Sequence, residues 1–248
     1  MKYFLTFGNE RFVNSRKRME LEAQQTKLFD KVIVETEAIC QEETFKKICD
    51  KIETKWGSGR GFYWYMWKPY IIYKTLTKLN DGDILFYNDS GMQIFPERSD
   101  VINKFNHLFQ LVENKDECKT GICTFITTGP PKDRFEYMYN IGSLFKHFKV
   151  ETNESITHTQ QIQAGVIVIK KCDESKRIIK EWLDIALERT ELFVGDIRVL
   201  PRNKDDKEMQ GFRDHRHDQA VWSVLCKLNN VTVLQHDKNP IYQTHIRC

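Results

Sequence analysis

The sequence predicts one α/β domain, built on a mostly parallel but mixed β-sheet that helices cover on both faces. Short apolar segments alternate with longer amphipathic ones along the chain, which is typical of strands joined by crossover helices. The length of 248 residues suits one large unit, spanning 1–248, with a sizeable core. The composition, 40% hydrophobic and 29% charged with 12 glycines and 6 prolines, excludes collagenous, low-complexity and disordered classes.

The predicted strands are short, rich in β-branched and aromatic residues, and closed by glycine or polar residues. They lie at 3–7, 31–35, 83–89, 122–127, 162–169 and 231–235. The predicted helices carry apolar residues on one face. They lie at 11–24, 42–55, 70–79, 100–112, 174–189 and 217–228. Pro69 suits the first turn of the third helix, and the polar segment 192–213 is a candidate mobile loop over a site.

Charge and cysteine content narrow the function classes. The chain has 38 basic and 35 acidic residues, a balance too even for a dedicated nucleic-acid-binding protein. Its seven cysteines are scattered, and the spacing of Cys118 and Cys123 does not fit a zinc knuckle, so we expect reduced thiols in a reducing compartment. The apolar runs are too short for a signal-peptide core or a membrane span. We therefore expect a soluble, cytoplasmic protein without a nucleic-acid partner or a transmembrane segment.

The residues that follow each strand are the candidates for a ligand site, because ligands bind at the carboxyl ends of strands in such sheets. The most informative segment is 81–91, where a hydrophobic strand carries Asp89 to its tip and Ser90 and Gly91 leave room for a ligand. A carboxylate so placed can hold Mg²⁺ or Mn²⁺ together with substrate phosphates. The alternative is that Asp89 only caps a turn.

Basic residues near the other strand ends are candidate phosphate contacts. Arg60 and Lys68 flank a glycine-rich turn, where they either meet phosphate oxygens or are merely solvated. His236 follows the last strand and can converge with Asp89 on one metal ion. Lys238, two residues further on, is a third candidate for a phosphate contact.

The last helix offers a second carboxylate. Asp218 begins this apolar helix, where its simplest role is to stabilise the helix start. His215 and His217 lack a third ligand nearby, which argues against a zinc site. The aromatic cluster 62–67 favours core packing over a sugar platform, and Trp67 is its best candidate for a substrate contact.

Six short motifs then occur in order along the chain. They are Thr6-Phe7-Gly8, the run 61–70, the strand end 81–91, Gln163-Ala164-Gly165-Val166, His215-Arg216-His217-Asp218-Gln219 and His236-Asp237-Lys238-Asn239-Pro240. The ordered set resembles the GT-A fold glycosyltransferases. It is most similar to a group of small glycosyltransferases of bacteria and large DNA viruses, of the chlorella-virus type.

This resemblance implies a single Rossmann-like GT-A domain that moves a sugar from a UDP-type nucleotide sugar to a glycan or protein acceptor. It implies that the sugar keeps its anomeric configuration and that Mn²⁺ or Mg²⁺ assists the reaction. For a virus-encoded chain it implies a location in the host cytoplasm. It also implies that Thr6 and Phe7 receive the nucleotide and that Asp218 and Gln163 act at the reacting sugar. Gly91 departs from the pattern, because the second aspartate of the metal motif usually stands there, and Gln163 replaces a common asparagine.

Two other functions stay open at this point. The first is a metal-dependent phosphoesterase or nucleotidyltransferase that uses Asp89, Asp218 and His217, although no second carboxylate lies beside Asp89 in the sequence. The second is a nucleotide- or carbohydrate-binding module that has lost activity, which Gly91 makes plausible. The sequence leaves open the donor sugar, the acceptor and the oligomeric state, a homo-oligomer included.

Overall fold

A six-stranded sheet forms the centre of the computed structural model, which describes residues 1–55, 61–194 and 207–243. The strands are β1 (Lys2–Phe7), β2 (Lys31–Glu35), β3 (Ile84–Asn88), β4 (Met92–Gln93), β5 (Ile122–Phe125), β6 (Val166–Lys170), β7 (Thr232–Leu234) and β8 (Tyr242–Gln243). The sheet order is β2-β1-β3-β6-β5-β7, while β4 and β8 form a separate antiparallel pair. Within the sheet only β6 runs antiparallel to its neighbours. The prediction of a mostly parallel mixed sheet is confirmed.

Helices cover both faces of this sheet, as predicted. They are α1 (Val13–Gln25), α2 (Glu43–Lys55), α3 (Gly61–Trp64), α4 (Trp67–Leu76), α5 (Ser99–Glu113), α6 (Glu136–Tyr139), α7 (Gly142–Phe148), α8 (Glu154–Thr157), α9 (Asp173–Glu188) and α10 (Asp218–Leu228). The longer helices lie where the apolar periodicity predicts them. The short helices α6, α7 and α8 were not predicted.

The alternation of side chains along each strand divides the core into two layers. In β3, Leu85 and Tyr87 point to the layer that contains α2, α4, α9 and α10. Ile84 and Phe86 point to the opposite layer, which contains α1 and α5. All four side chains are buried, so β3 lies at the centre of the molecule and its carboxyl end is held firmly in place.

The direction of β6 corrects one sequence expectation and explains the position of the site. The sequence predicts a strand over 162–169 and places Gln163 to Gly165 at a carboxyl edge of the sheet. In the structure this strand begins at Val166 and runs antiparallel to both neighbours. Its amino-terminal end therefore meets the carboxyl ends of β3 and β5. The Asp89 amide donates to the Gly165 carbonyl across this edge, at 2.9 Å.

Two further observations bear on the sequence expectations. The candidate mobile loop falls largely on residues 195–206, which lie outside the described residues, while Leu192, Phe193 and Val194 before it are buried. In the described part of the chain, no helix combines the length and the apolar character that a membrane crossing requires.

Candidate functional site

A pocket of about 350 Å³ opens at the edge where β3 and β5 end and β6 begins. Four of the residues singled out in the sequence line it: Lys68, Asp89, Gln163 and Asp218. They come from α4, the end of β3, the approach to β6 and the start of α10. The fold thus collects polar groups from four separate chain segments at one place.

A buried lysine connects the two carboxylates of the pocket. The Lys68 side chain is only 3% exposed, and its Nζ lies 2.6 Å from Asp218 Oδ2 and 3.2 Å from Asp89 Oδ1. The hydroxyl of Tyr87 also donates to Asp89 Oδ1. Asp218 is 7% exposed, whereas Asp89 is 34% exposed and faces the open part of the pocket.

The charges of this group follow from burial and from one another. Burial alone would lower the pKa of Lys68, but the carboxylates of Asp218 and Asp89 outweigh burial and raise it. Burial raises the pKa of Asp218 to about 6, although Lys68 partly offsets the effect. Above about pH 6 Asp218 is therefore ionised beside the ammonium of Lys68.

A left-handed turn precedes Lys68 in the chain. Each residue from Gly61 to Tyr65 has a positive φ angle, between 51° and 66°. Such a conformation costs non-glycine residues roughly 1–2 kcal/mol each. Burial of Tyr63 and Trp64 offsets this cost, and a Cβ on Gly61 would lie 2.1 Å from the Tyr65 ring, so only glycine fits there. Strain of this kind is common at functional sites, and here the turn leads directly into the helix that carries Lys68.

The approach to β6 supplies an amide and a close backbone contact. Gln163 is buried, and its Nε2 has no hydrogen-bond partner among the described residues, so a donor remains for a ligand in the pocket that it lines. Gly165 leaves room for Asp89, because a Cβ there would lie 3.2 Å from Asp89 Oδ2 and would crowd the flexible end of Met92. The glycine therefore allows Asp89 to pack against the start of β6.

A chain of side-chain amides fixes the orientation of Gln219 in the pocket wall. Glu136 is fully buried and accepts from Asn140 Nδ2 at 2.8 Å. Because a carboxylate accepts hydrogen bonds and does not donate them, Asn140 directs its NH2 group to Glu136 and its oxygen to Gln161. Gln161 Nε2 donates to that oxygen at 3.0 Å. Gln161 in turn accepts from Gln219 Nε2 at 3.0 Å. The buried charge of Glu136, paired with Lys227 at 2.5 Å, therefore determines which way all three amides point.

Sequence reasoning missed Glu136, Asn140 and Gln161, as well as two arginines of the pocket, Arg134 and Arg216. These residues lie in loops and short helices without apolar periodicity, where a polar residue is unremarkable. Two signals were available: Gln161 lies two residues before the Gln163 motif, and Arg216 is itself part of the motif 215–219.

Thr6 and Phe7 do not line this pocket. Thr6 is buried within β1, and its hydroxyl has no partner among the described residues. Phe7 stacks on Trp67, with ring centroids 4.0 Å apart, so Trp67 contributes to packing. Arg60 lies outside the described residues.

His236 and Lys238, predicted to contact a metal ion and the diphosphate, follow a different strand from Asp89. Both lie on the short 3-10 turn after β7, and neither lines the pocket. In sheet order β7 is three strands from β3, a separation of about 14 Å. The exposed Lys238 lies 3.7 Å from Asp237 instead.

Asp89 is the carboxylate of the pocket that the motif implies for a divalent metal ion, and an ion there would need further ligands from the substrate or water. Within residues 1–55, 61–194 and 207–243, no three histidine, cysteine or acidic side chains are grouped so that they could hold a metal ion. In the pocket itself, Lys68 already lies between Asp89 and Asp218. The cations that this part of the chain places at the pocket are Lys68, Arg134 and Arg216.

The two histidines before α10 are structural. His215 is buried, with Nε2 2.8 Å from the Leu192 carbonyl, and burial lowers its pKa to about 3, so it is neutral. His217 Nδ1 lies 2.8 Å from the Phe193 carbonyl. Both rings therefore attach the segment that ends at Val194 to the pocket wall.

Comparison with known proteins places glycosyltransferases among the similar solved structures. Mouse xyloside xylosyltransferase 1 is 10% identical with a TM-score of 0.44, covering 95% of this chain and 85% of that one. A glycosyltransferase involved in glycosylation of the major capsid of PBCV-1 is 12% identical with a TM-score of 0.45, covering 96% and 81%. GlyE of Streptococcus pneumoniae TIGR4 is 13% identical with a TM-score of 0.41, covering 95% and 45%. No family model and no curated protein matches the chain.

Proposed function

We propose that this chain is a glycosyltransferase that moves a sugar from a UDP-type nucleotide sugar to a glycan or protein acceptor. The observation that carries the proposal is the buried Lys68 between Asp89 and Asp218, in a polar pocket at the carboxyl edge of the sheet. Glycosyl transfer develops negative charge on the leaving diphosphate and positive charge at the anomeric carbon. A pocket that presents an ammonium and carboxylate oxygens side by side suits both charges.

Each of these side chains has a role in the proposal. Lys68 stabilises the negative charge that develops on the diphosphate. Asp218, ionised above about pH 6, lies against the reacting sugar and stabilises its positive charge. Gln163 donates a hydrogen bond to a sugar hydroxyl, and Gln219 accepts one through the oxygen that the amide chain leaves unused. Retention of configuration is inferred from the motif resemblance of Asp218-Gln219 and Gly165-Val166.

A divalent cation would supply further positive charge for the departing diphosphate. Asp89, as the more exposed carboxylate, is the residue of this pocket on which the expected Mn²⁺ or Mg²⁺ would depend. Because Lys68 already neutralises part of this charge, we propose that the reaction is strengthened by the metal but does not depend on it alone.

A binding module without turnover is the second candidate, and Gly91 favours it. A Cβ at this position would meet nothing within 4 Å. The fold therefore does not require a glycine there, and a side chain that holds a metal would have had room. Loss of that side chain is what a decayed enzyme would show.

A nucleotide-release assay separates the candidates. The purified chain is incubated with UDP-, GDP- and CMP-sugars, with Mn²⁺ or with EDTA, and release of the free nucleotide is measured beside calorimetric binding. Release from at least one donor supports the transferase. Binding without release supports the module. Metal-dependent hydrolysis of phosphate esters without use of any nucleotide sugar would support the phosphoesterase and contradict the proposal.

A further inference from the structure

Two arginines of the pocket lie against the ring of one tyrosine. The guanidinium carbon of Arg216 lies 4.7 Å from the centre of the Tyr139 ring, and that of Arg134 lies 5.9 Å from it. Arg134 is fixed further, because its Nε donates to the Thr128 carbonyl at 3.1 Å and its Nη1 to the Tyr139 hydroxyl at 3.2 Å. Both arginines and Thr128 line the pocket.

Neither guanidinium is neutralised by the part of the chain that the structure describes. No carboxylate in that part lies within 4.0 Å of Arg134 or Arg216. Arg216 also donates no side-chain hydrogen bond there, so its planar fork of donors remains available. Two unneutralised guanidiniums in one pocket are well suited to a carboxylate or a phosphate, which a guanidinium can bind through paired hydrogen bonds.

Arg134 and Asp89 enter the pocket from the ends of different strands. Arg134 follows β5, whereas Asp89 ends β3, and β6 separates these strands. Two strand spacings amount to roughly 10 Å. This arrangement favours an anion at the arginine pair that belongs to a different part of the bound substrates from the group that contacts Lys68.

We propose that Arg134 and Arg216 bind a carboxylate or phosphate group carried by the acceptor. This inference rests on the proposed glycosyltransferase function, in which the Lys68 side of the pocket is occupied by the donor. It makes the acceptor an acidic sugar or a phosphorylated one. The other source of the same chemistry is the diphosphate of the donor, and the experiment distinguishes the two.

The experiment uses acceptor analogues that differ only in charge. Binding of 4-nitrophenyl glucuronide is compared with that of 4-nitrophenyl glucoside by calorimetry, and glucose 6-phosphate is compared with glucose. We expect the wild-type protein to bind at least one anionic member at least about tenfold more tightly than its neutral partner. The R216Q and R134Q variants should lose most of this preference. R216K, which keeps the charge without the planar fork, should lose part of it.

The matched control is K132Q, which removes one positive charge two residues from Arg134 at an exposed position that does not line the pocket. It should keep the preference. UDP affinity and donor hydrolysis should stay within about twofold of wild type in K132Q. Circular dichroism of each variant establishes that it is folded.

Two outcomes would overturn the inference: wild-type protein without preference for either anion, or R216Q with weakened UDP binding and an unchanged anion preference. The second would assign the arginines to the donor diphosphate. An anion preference that R216Q removes, in a protein that consumes no nucleotide sugar, would support the anion site while refuting the transferase function.

Discussion

Replacing Lys68 by methionine should destabilise the fold by an amount that grows with pH. Methionine fills similar space but leaves the buried Asp218 carboxylate without its ammonium partner at 2.6 Å. The variant then keeps Asp218 protonated in the folded state, because an unpaired charge is costly there. In the wild type Asp218 releases its proton at a pKa of about 6.

The magnitude follows from this difference in proton binding. In the unfolded chain Asp218 has its ordinary pKa of 3.8. Above pH 3.8 the unfolded chain loses this proton while the folded state of both proteins still keeps it. The free energy of unfolding therefore falls as pH rises. In the wild type this fall stops near pH 6, whereas in K68M it continues at about 1.36 kcal/mol per pH unit. Between pH 6 and pH 8 the free energy of unfolding of K68M should therefore fall by about 2.7 kcal/mol.

Urea unfolding at pH 6 and pH 8 measures this effect. The free energies of unfolding are compared for wild type, K68M, D218N and the double variant K68M/D218N. The extra loss at pH 8 should disappear in the double variant, which has no carboxylate to protonate at position 218. K132M, at an exposed position, controls for loss of a positive charge. An equal loss for K68M at both pH values, unaffected by D218N, would refute the ion-pair account.

Three further predictions concern activity. D89A should remain folded, because Lys68 keeps its contact with Asp218, but it should release nucleotide more slowly and gain nothing from added Mn²⁺; a fully active D89A would contradict the site. The rate at limiting donor should rise with pH through about 6 as Asp218 ionises, and a profile flat from pH 5 to 8 would speak against its role. Q161L should interrupt the amide chain and slow transfer, and adding Q219A should have little further effect, whereas additive losses would show that the chain does not position Gln219.

The fold was largely predictable because its long elements carry clear periodicity. Strands β1, β2 and β3 and helices α1, α5 and α9 lie within a few residues of their predicted positions. The direction of β6 was not predictable from its own residues, since a buried strand has the same apolar pattern in either orientation. Helices α6 to α8 have four to seven residues, which is too short for a helical period to be recognised.

The candidate site was predictable only where its residues follow a strand or begin a helix. Asp89 and Asp218 met that condition, and Lys68 was recognised as a charged residue beside a glycine-rich turn. That Lys68 lies between the two carboxylates depends on tertiary contacts across the sheet. The amide chain depends on them still more, since Glu136 and Lys227 are 91 residues apart in sequence. The neighbours of His236 were not predictable, because a position after a strand does not indicate which strand lies beside it.

Nucleotide release by D218N tests the central claim most directly, that the Lys68–Asp218 pocket carries out sugar transfer. The substitution keeps the size of the side chain and removes only its charge, and D214N is the control in the same segment, at an exposed position outside the pocket. With the donor that the wild type uses, at pH 7.5, we predict that D218N binds UDP normally and releases nucleotide at least about tenfold more slowly, equivalent to about 1.4 kcal/mol of barrier. D214N should release it at the wild-type rate. Release by D218N at the wild-type rate would contradict the account.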